Sequence, residues 1–538
     1  MQDKEDLRTI SGIPVKKIYT AEDVKDVSGN GLGMPGSPPY TRGTYPNMYR
    51  ERLWRIFQMT GHGTTEDTAE RIRYALEQGS TGFAPECDIQ AWLLYDVDHP
   101  SVLERKDDVG IFGAPMMSFR DYEAMHEGVE VGRVFSHYGA PLPQCTPFAL
   151  SCYLLLMEKR GIPINEAMAT GEGDFFMAYI CMLVDDFIPP SAGLRLNCDA
   201  IEYCTKNARR ITPVSIPGNN LRESGFNGYQ EVAIIFANAI AYIEELLGRG
   251  HLQIDDFAHA IGGINLSVGR DFFEDIAKMR AARRMWYKLL KEKYQAQNPR
   301  SMQLRIHGLT QGSVCTYQQP LNNIVRCTYQ ALAAALAGCQ SIGVNSYDEA
   351  ISSPSLAAHT VALRTHQVLQ FESNITNTID PLGGSYYVEW LTDQMEERAW
   401  DYLEKINNEG GFIEALNSGW LQREAVKGAL ELDRSIKKGD LKVVGVNCFV
   451  MEEEPHKVEV QHKNPNTWEI AMARLEQLRR ERDSAEVGEA LKELRQALAG
   501  DQNTIPATIK AVRAGSTIGE IGSLYREVFG TWQSNVRF

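Results

Sequence analysis

Between about residues 56 and 395 the apolar positions switch repeatedly between two periods. Short runs of apolar and small residues lie at 81–89, 113–119, 132–138, 166–171, 211–217, 262–269, 302–309 and 339–347. The intervening stretches repeat apolar residues every three or four positions, as in 152–160, 229–250, 273–294 and 323–338. That is the spacing of one buried helix face. Eight strand-like runs, each followed by a helix, predict an α/β chain folded as a (β/α)8 TIM barrel. No GxGxxG opens the first unit, which weakens a doubly wound open sheet as the alternative. Beyond the barrel the pattern is mostly helical, with one further strand expected at 441–450 and a linker after it. Residues 1–55 are rich in Gly and Pro but also carry Tyr40, Tyr45, Tyr49 and Trp54. Disordered tails are poor in aromatic residues, so the segment reads as an extended arm docked on a surface. The expected organisation is an arm at 1–55, a barrel at 56–395 and a helical extension at 396–538.

The strand-like runs are polar for a closed barrel, whose interior is ordinarily filled by Val, Ile and Leu. Here they carry Ser136, His137, Gly171, Asn265, Ser267, His307, Gly308, Gly343 and Asn345. Half of these point outward by alternation, and the rest describe an interior kept open for something long and polar.

Composition narrows the class. Hydrophobic residues make up 43% and charged residues 23%, which suits a globular chain with a sizeable core. The net charge of −15 argues against a nucleic-acid binder but leaves room for a local basic groove. No run of about 18 apolar residues is present, so no membrane span is expected. The first residues lack the apolar core of a secretory signal. The ten cysteines are scattered, with no CxxC pair. They read as reduced, buried thiols of a cytoplasmic protein, and no metal site is expected.

Seven segments carry a more specific signal. They are PPYTRGTYPNMYRERLW (38–54), DVDHP (96–100), KMRAARRMW (278–286), LNNIVR (321–326), QSIGVNSYDEA (340–350), IDPLGGSYYVEWLT (379–392) and VVGVN (443–447). In this order they resemble the large subunit of the cobalamin-dependent acyl-CoA mutases, the methylmalonyl-CoA mutase family, over nearly the whole chain. The resemblance implies a radical 1,2-rearrangement of a CoA thioester, with adenosylcobalamin as cofactor and CoA running along the barrel axis. The family's DxHxxG cobalamin loop does not occur in the sequence. The implied lower ligand therefore comes from a separate small cobalamin-binding subunit, in a heterodimer or heterotetramer.

The resemblance also assigns residues. Asn345 and Glu349 match contacts to the adenosyl ribose, and Gly61 matches a glycine near the adenosyl group. The same Asn–Glu spacing also fits a capped helix start, and Gly61 also fits a simple turn. Tyr45, Pro46, Asn47 and Met48 match an arm that packs along CoA, and Arg52 matches an arginine on CoA phosphate. A solvated surface charge is the alternative for Arg52. Departures from the family pattern bear on substrate. The active-site aromatic falls on Met59, and the arginine that grips the methylmalonyl carboxylate falls on Leu183. A carboxylate buried without a partner is costly, so methylmalonyl-CoA is not the expected substrate. The catalytic histidine falls on Asn220, which can donate a hydrogen bond but not a proton. Arg222 replaces a glutamine and is expected to polarise the thioester, to bind a carboxylate, or only to pair with Glu223. His137 on one strand, and His307 beside Arg305 on another, are substitutes for the missing histidine, or hydrogen-bonded structural residues.

The substrates expected are a substituted succinyl-CoA such as (2-aminophenyl)succinyl-CoA, or a branched acyl-CoA such as isobutyryl- or pivalyl-CoA. A 2-hydroxyacyl substrate is disfavoured, because the corresponding pocket aspartate falls near Met117. A catalytically inactive scaffold is the alternative function.

Overall fold

The computed structural model describes residues 8–24, 32–132, 134–139, 145–171, 173–182, 186–452 and 457–535. Its strands are β1 (Arg55–Met59), β2 (Gly82–Ala84), β3 (Phe135–His137), β4 (Ala169–Thr170), β5 (Ile216–Pro217), β6 (Gly263–Val268), β7 (Arg305–Thr310) and β8 (Ser341–Gly343). They pair in parallel and alternate with helices, the (β/α)8 arrangement of an α/β fold. The helices used below are α1 (Gly218–Glu223), α2 (Gly228–Gly248), α3 (Phe272–Lys288), α4 (Asn322–Leu336), α5 (Tyr386–Asn408) and α6 (Trp420–Lys438). By packing, the chain divides into two units. One comprises Met1–Ile56, Pro217–Ile240 and Gly262–Val460, and the other Phe57–Ile216, Ala241–Ile261 and Gln461–Phe538.

In the first unit β7 lies between β6 and β8, and β8 pairs with the start of β1. A Cβ on Gly308 would meet Ala334 of α4 at 2.9 Å and the Cys339 Sγ at 3.0 Å. That face of β7 therefore touches the helix layer and needs a glycine there. By alternation, Arg305, His307 and Leu309 occupy the opposite face, where each is only half-buried. The register adds Gly263, Asn265 and Ser267 of β6, and Ser341 and Gly343 of β8, to that same face. The inner face of this half of the sheet is thus small and polar, whereas Gly308 belongs to the outer one.

The arm is anchored to this unit by its backbone. Arg283 of α3, fully buried, donates to the carbonyls of Tyr40 and Thr41, both at 3.0 Å. The Thr44 hydroxyl donates to the Leu304 carbonyl at 2.7 Å, and the Tyr49 hydroxyl to the Cys339 carbonyl at 2.6 Å. Arg42 pairs with Asp380 at 2.9 Å. Tyr40 and Trp54 are buried accordingly.

In the second unit the end of β1 pairs with β2, which pairs with β3, which pairs with β4. Phe83 packs on His126 of the helix layer. Gln58 and Ser136, in register with Phe83, share that outer face. Phe57, Met59 and His137 occupy the other, with the Phe57 ring edge-on to Phe135 and His137. The helices Thr467–Glu481, Ser484–Ala499, Ile505–Ala514 and Ile518–Phe529 belong to this unit. Arg479 reaches Asp96 at 3.0 Å, and the Thr504 hydroxyl donates to Asp199 at 2.7 Å.

Three sequence expectations are corrected. Residues 113–119 form no strand: only Ala114 bridges, to Cys87. Met117 is packed among Tyr95, Val97, Val102, Val109 and Leu475. Residues 441–450 are a turn rather than a strand. The Asn447 side chain there takes the Val443 N–H at 2.7 Å and donates to the Ile436 and Leu441 carbonyls at 2.8 Å. Gly445 reverses the chain at a φ of 85°. Conversely, β1 at 55–59 was not among the expected strands. None of the ten cysteines is in a disulfide, and all but the half-buried Cys181 and Cys448 are buried. Among the described residues no helix is long and apolar enough to cross a membrane.

Candidate functional site

Strand β7 separates two polar sites of the first unit. At its carboxyl end, Asn345 follows β8. Its backbone N–H donates to the Thr310 hydroxyl at 2.8 Å, and its carboxamide N–H donates to the Thr310 carbonyl at 2.9 Å. This double attachment fixes the carboxamide and leaves its oxygen as an acceptor. The turn after β7 brings further groups to the same place. A Cβ on Gly312 would lie 3.1 Å from Glu349 Oε1, 3.2 Å from Asn345 Nδ2 and 3.5 Å from Glu223 Oε1. Glu223, at the end of α1, accepts the backbone N–H groups of Gly312 and Ser313 at 2.7 and 3.0 Å.

Among the described residues Glu349 has no such partner. Its side chain is exposed to water, with protein crowded around its base. That crowding, with repulsion from Glu223 and Asp348, pushes its carboxyl up to about 7. No helix begins at Asn345 or Ser346. The Glu349 N–H closes a turn onto the Ser346 carbonyl, and the next helix starts at Leu356 behind Ser355. The capping alternative therefore has no helix to cap. A fixed amide oxygen and a carboxyl poised near neutrality can together grip two hydroxyls.

The amino end of β7 is cationic. Arg305 opens β7 and Arg55 opens β1. Burial first, and then the nearby charges of Arg52 and Arg305, pull Arg55 down to about 10, with Tyr45 also within electrostatic reach. Burial and Arg300 likewise lower Arg305. Clustered guanidiniums of this kind fit phosphate. The two sites lie at opposite ends of a six-residue strand, roughly 17 Å apart at about 3.3 Å per residue. Between them His307 accepts or donates at 2.9 Å with the Ser341 hydroxyl, and burial holds it down at about 4, a neutral ring.

The remaining candidates are placed as follows. In the arm, Tyr45 is exposed and Met48 is buried, and the Asn47 amide donates to Glu51 at 3.0 Å. The Asn220 side-chain oxygen accepts from the Asn219 amide at 2.5 Å. Arg222 donates to the Phe226 carbonyl at 3.1 Å and lies beside Gly269 at the end of β6. It lies near Glu231 of α2, which is held with Asp275 by the fully buried Lys278 at 2.7 and 2.8 Å. Among the described residues Glu223 forms no ion pair with it and accepts the Gly312 and Ser313 N–H groups instead. In the second unit, Met59 is 49% exposed and His137 is buried on the same face of the sheet. The Glu86 backbone fills the space of a Cβ on Gly61, 2.1 Å away, which demands glycine there. Leu183 lies outside the described residues. Sequence reasoning did not select Glu223, Thr310 or Arg55, and no motif marks them, because only the fold brings them to Asn345 and Arg305. Among the described residues no group of three or more His, Cys, Asp or Glu is placed to hold a metal ion.

The sequence profile described as methylmalonyl-CoA mutase matches residues 8–531. The 2-hydroxyisobutanoyl-CoA mutase large subunit of Aquincola tertiaricarbonis is 38% identical over 99% of this chain and 94% of its own length. Methylmalonyl-CoA mutase of Cereibacter sphaeroides is 34% identical over 98% of this chain and 73% of its own. The human mitochondrial methylmalonyl-CoA mutase is 31% identical over 99% and 70%. A polar-faced (β/α)8 chain, with Arg55 and Arg305 at one end of β7 and Asn345 and Glu349 at the other, and matched along its length in this way, belongs to the methylmalonyl-CoA mutase family: it is an acyl-CoA mutase, an isomerase.

Proposed function

We propose that this chain is the large, substrate-binding subunit of an adenosylcobalamin-dependent mutase that rearranges the carbon skeleton of a branched acyl-CoA. The observation that carries the reading is the pairing of ends along β7. Arg52, Arg55 and Arg305 suit the phosphates of CoA. Asn345 and Glu349 suit the two hydroxyls of an adenosyl ribose. The small polar face between them suits a pantetheine thread. When bound, adenosylcobalamin supplies the radical that starts the exchange of a hydrogen with a neighbouring group. The protein's part is to orient the thioester and exclude water. His307, neutral and anchored on Ser341, lies on the face along which the thioester would run.

Two features support a branched monoacyl group over a dicarboxylic one. Arg222 is occupied by the Phe226 carbonyl and lies beside the buried Glu231 carboxylate. Met59 is an apolar, adaptable side chain on the inner face of its own unit. Met117 is a core residue here and says nothing against a 2-hydroxyacyl substrate, the class printed in the name of one relative. A separate small cobalamin subunit is part of the proposal, supported by that relative's designation as a large subunit.

The test is reconstitution with a cobalamin-loaded small subunit and a panel of isobutyryl-, pivalyl-, 2-hydroxyisobutyryl-, (2-aminophenyl)succinyl- and methylmalonyl-CoA. Electron paramagnetic resonance should detect cob(II)alamin with a branched monoacyl-CoA. A signal with none of them would favour the inactive scaffold. A signal only with a dicarboxylic thioester would overturn the substrate class. Within the same panel, Met59→Phe should shift selectivity between branched substrates. Unchanged selectivity would mean that Met59 does not face the acyl group.

A further inference from the structure

The turn that carries Gly312 past Glu349 and Asn345 runs on into Cys315, and α4 sets a second thiol against it. Cys315 directly follows the Gly312–Val314 turn, and Cys327 lies in the second turn of α4. The two sulfurs are 3.7 Å apart, with Cys315 8% and Cys327 2% exposed. The backbone enforces this contact. Asn323 of α4, fully buried, accepts the Thr316 N–H at 3.0 Å through its side-chain oxygen and donates to the Thr316 carbonyl at 2.9 Å. Asn323 and Cys327 are four residues apart, on one face of the helix. The clamp that holds Thr316 to Asn323 therefore lays Cys315 over Cys327, one helical turn further along.

A disulfide needs its sulfurs about 2.05 Å apart, so these two must close by roughly 1.7 Å. Cys327 sits inside a hydrogen-bonded helix, and Cys315 at the end of a short turn. The movement therefore falls on the turn, which is held at its other end by the Gly312 and Ser313 N–H bonds to Glu223. A shift of that backbone reaches the Glu349 carboxyl and the Asn345 amide, which a Gly312 Cβ would meet at 3.1 and 3.2 Å. The hydrogen bond with Cys327, and then burial, push the Cys315 thiol far above the ordinary range. Because the thiolate is the reactive form, the pair oxidises slowly and stays reduced against brief exposure.

We propose that Cys315 and Cys327 form a reversible thiol–disulfide switch, with hydrogen peroxide as oxidant, that displaces the Gly312 turn and slackens the Asn345–Glu349 site. One sulfur, as its thiolate, attacks a peroxide oxygen. The O–O bond breaks, hydroxide leaves and takes up the thiol's proton as water, and a sulfenic acid remains. The second sulfur attacks the first, the S–S bond forms, the S–O bond breaks, and the oxygen departs as water with the second thiol's proton. Two thiols together lose two electrons, and one peroxide is reduced to two waters. Control of turnover rests on the mutase reading, whereas formation of the bond and movement of the turn do not.

The experiment treats the reduced full chain with hydrogen peroxide and follows it by peptide mapping and amide hydrogen exchange, both by mass spectrometry. The map should show a Cys315–Cys327 cross-link that dithiothreitol removes. Exchange in the peptide that carries the Gly312 and Ser313 N–H groups should rise about tenfold on oxidation and fall back on reduction. Cys327→Ala and Cys315→Ser should each abolish both changes, with a circular dichroism melt as the control for folding, and either folded variant suffices. Sulfinic acids without the cross-link, or a cross-link with unchanged exchange, overturn the proposal. In the reconstituted enzyme, oxidation should lower turnover about tenfold in the wild type and leave Cys327→Ala unaffected. Undiminished turnover of a cross-linked enzyme overturns the switch. A reduced enzyme inactive on every thioester of the panel counts against the mutase reading alone, and the exchange result then decides the switch by itself.

Discussion

Two groups of charges in the same unit are built on opposite rules. Lys278 is fully buried, yet it donates to Glu231, Asp275 and the Ser267 carbonyl, so every ammonium proton has a partner within 2.8 Å. Glu231 also takes the Ser267 N–H at 2.7 Å, and Asp275 takes the Gly269 N–H at 2.7 Å. This group ties α2 and α3 to β6 and leaves nothing for a ligand. At the Gly312 turn the position is reversed. Glu223 is satisfied by two backbone N–H groups, while Glu349 beside it accepts no hydrogen bond among the described residues and is pushed up to about 7. A closed charge cluster specifies the fold. An open one stores an unfavourable interaction that a bound hydroxyl can relieve.

The comparison breaks most visibly at its closed half. Lys278→Met removes the cation from between two buried carboxylates and should destabilise the chain by about 3–5 kcal/mol, read as a lower midpoint in urea unfolding. A midpoint within error of wild type would mean that water or rearrangement satisfies Glu231 and Asp275. At the open half the effect should fall on function. Glu349→Ala should reduce turnover of the reconstituted enzyme by about 10²-fold, the scale of removing one preorganised electrostatic contact, while the unfolding midpoint stays put. Equal losses of activity and stability would place Glu349 with the structural charges. Gly312→Ala is a finer probe. Its methyl would crowd Glu349 and Asn345 at little more than 3 Å and should cost about tenfold in turnover by displacing them.

The smallest effect is a pH dependence. The carboxyl of Glu349 is raised in the folded chain, so its ionised form is disfavoured there. That penalty is absent below about pH 4.5, grows towards pH 7 and is constant above it. Glu349→Gln should therefore raise the melting temperature slightly at pH 8 and not at pH 4.5. An increase of equal size at both pH values would remove titration as the cause.

The legibility of the sequence divides along similar lines. Strands β6, β7 and β8 announce themselves as short apolar runs between turn residues, and the inner-face alternation at Asn265 and His307 follows from them. Strand β1 is hidden because Arg55 and Gln58 interrupt its apolar pattern. Residues 113–119 and 441–450 mislead for the opposite reason. Met116, Met117 and Val443 are apolar because they are buried, and a loop or turn can bury them as well as a strand can. The Asn345–Glu349 pair is legible as a motif. Its environment is not, because Thr310, Gly312 and Glu223 arrive from two other chain segments. Likewise no spacing in the sequence shows Arg55 beside Arg305, or Arg222 beside Glu231 of α2.

The most direct measurement of the central claim is a crystal or cryo-electron microscopy map of the reconstituted enzyme with a non-reactive branched acyl-CoA bound. The account predicts CoA phosphate at Arg52, Arg55 and Arg305, pantetheine passing His307 and Ser341, and the acyl end near Asn345. A map with this face of β6, β7 and β8 packed solid by side chains, and the CoA bound elsewhere, would contradict it.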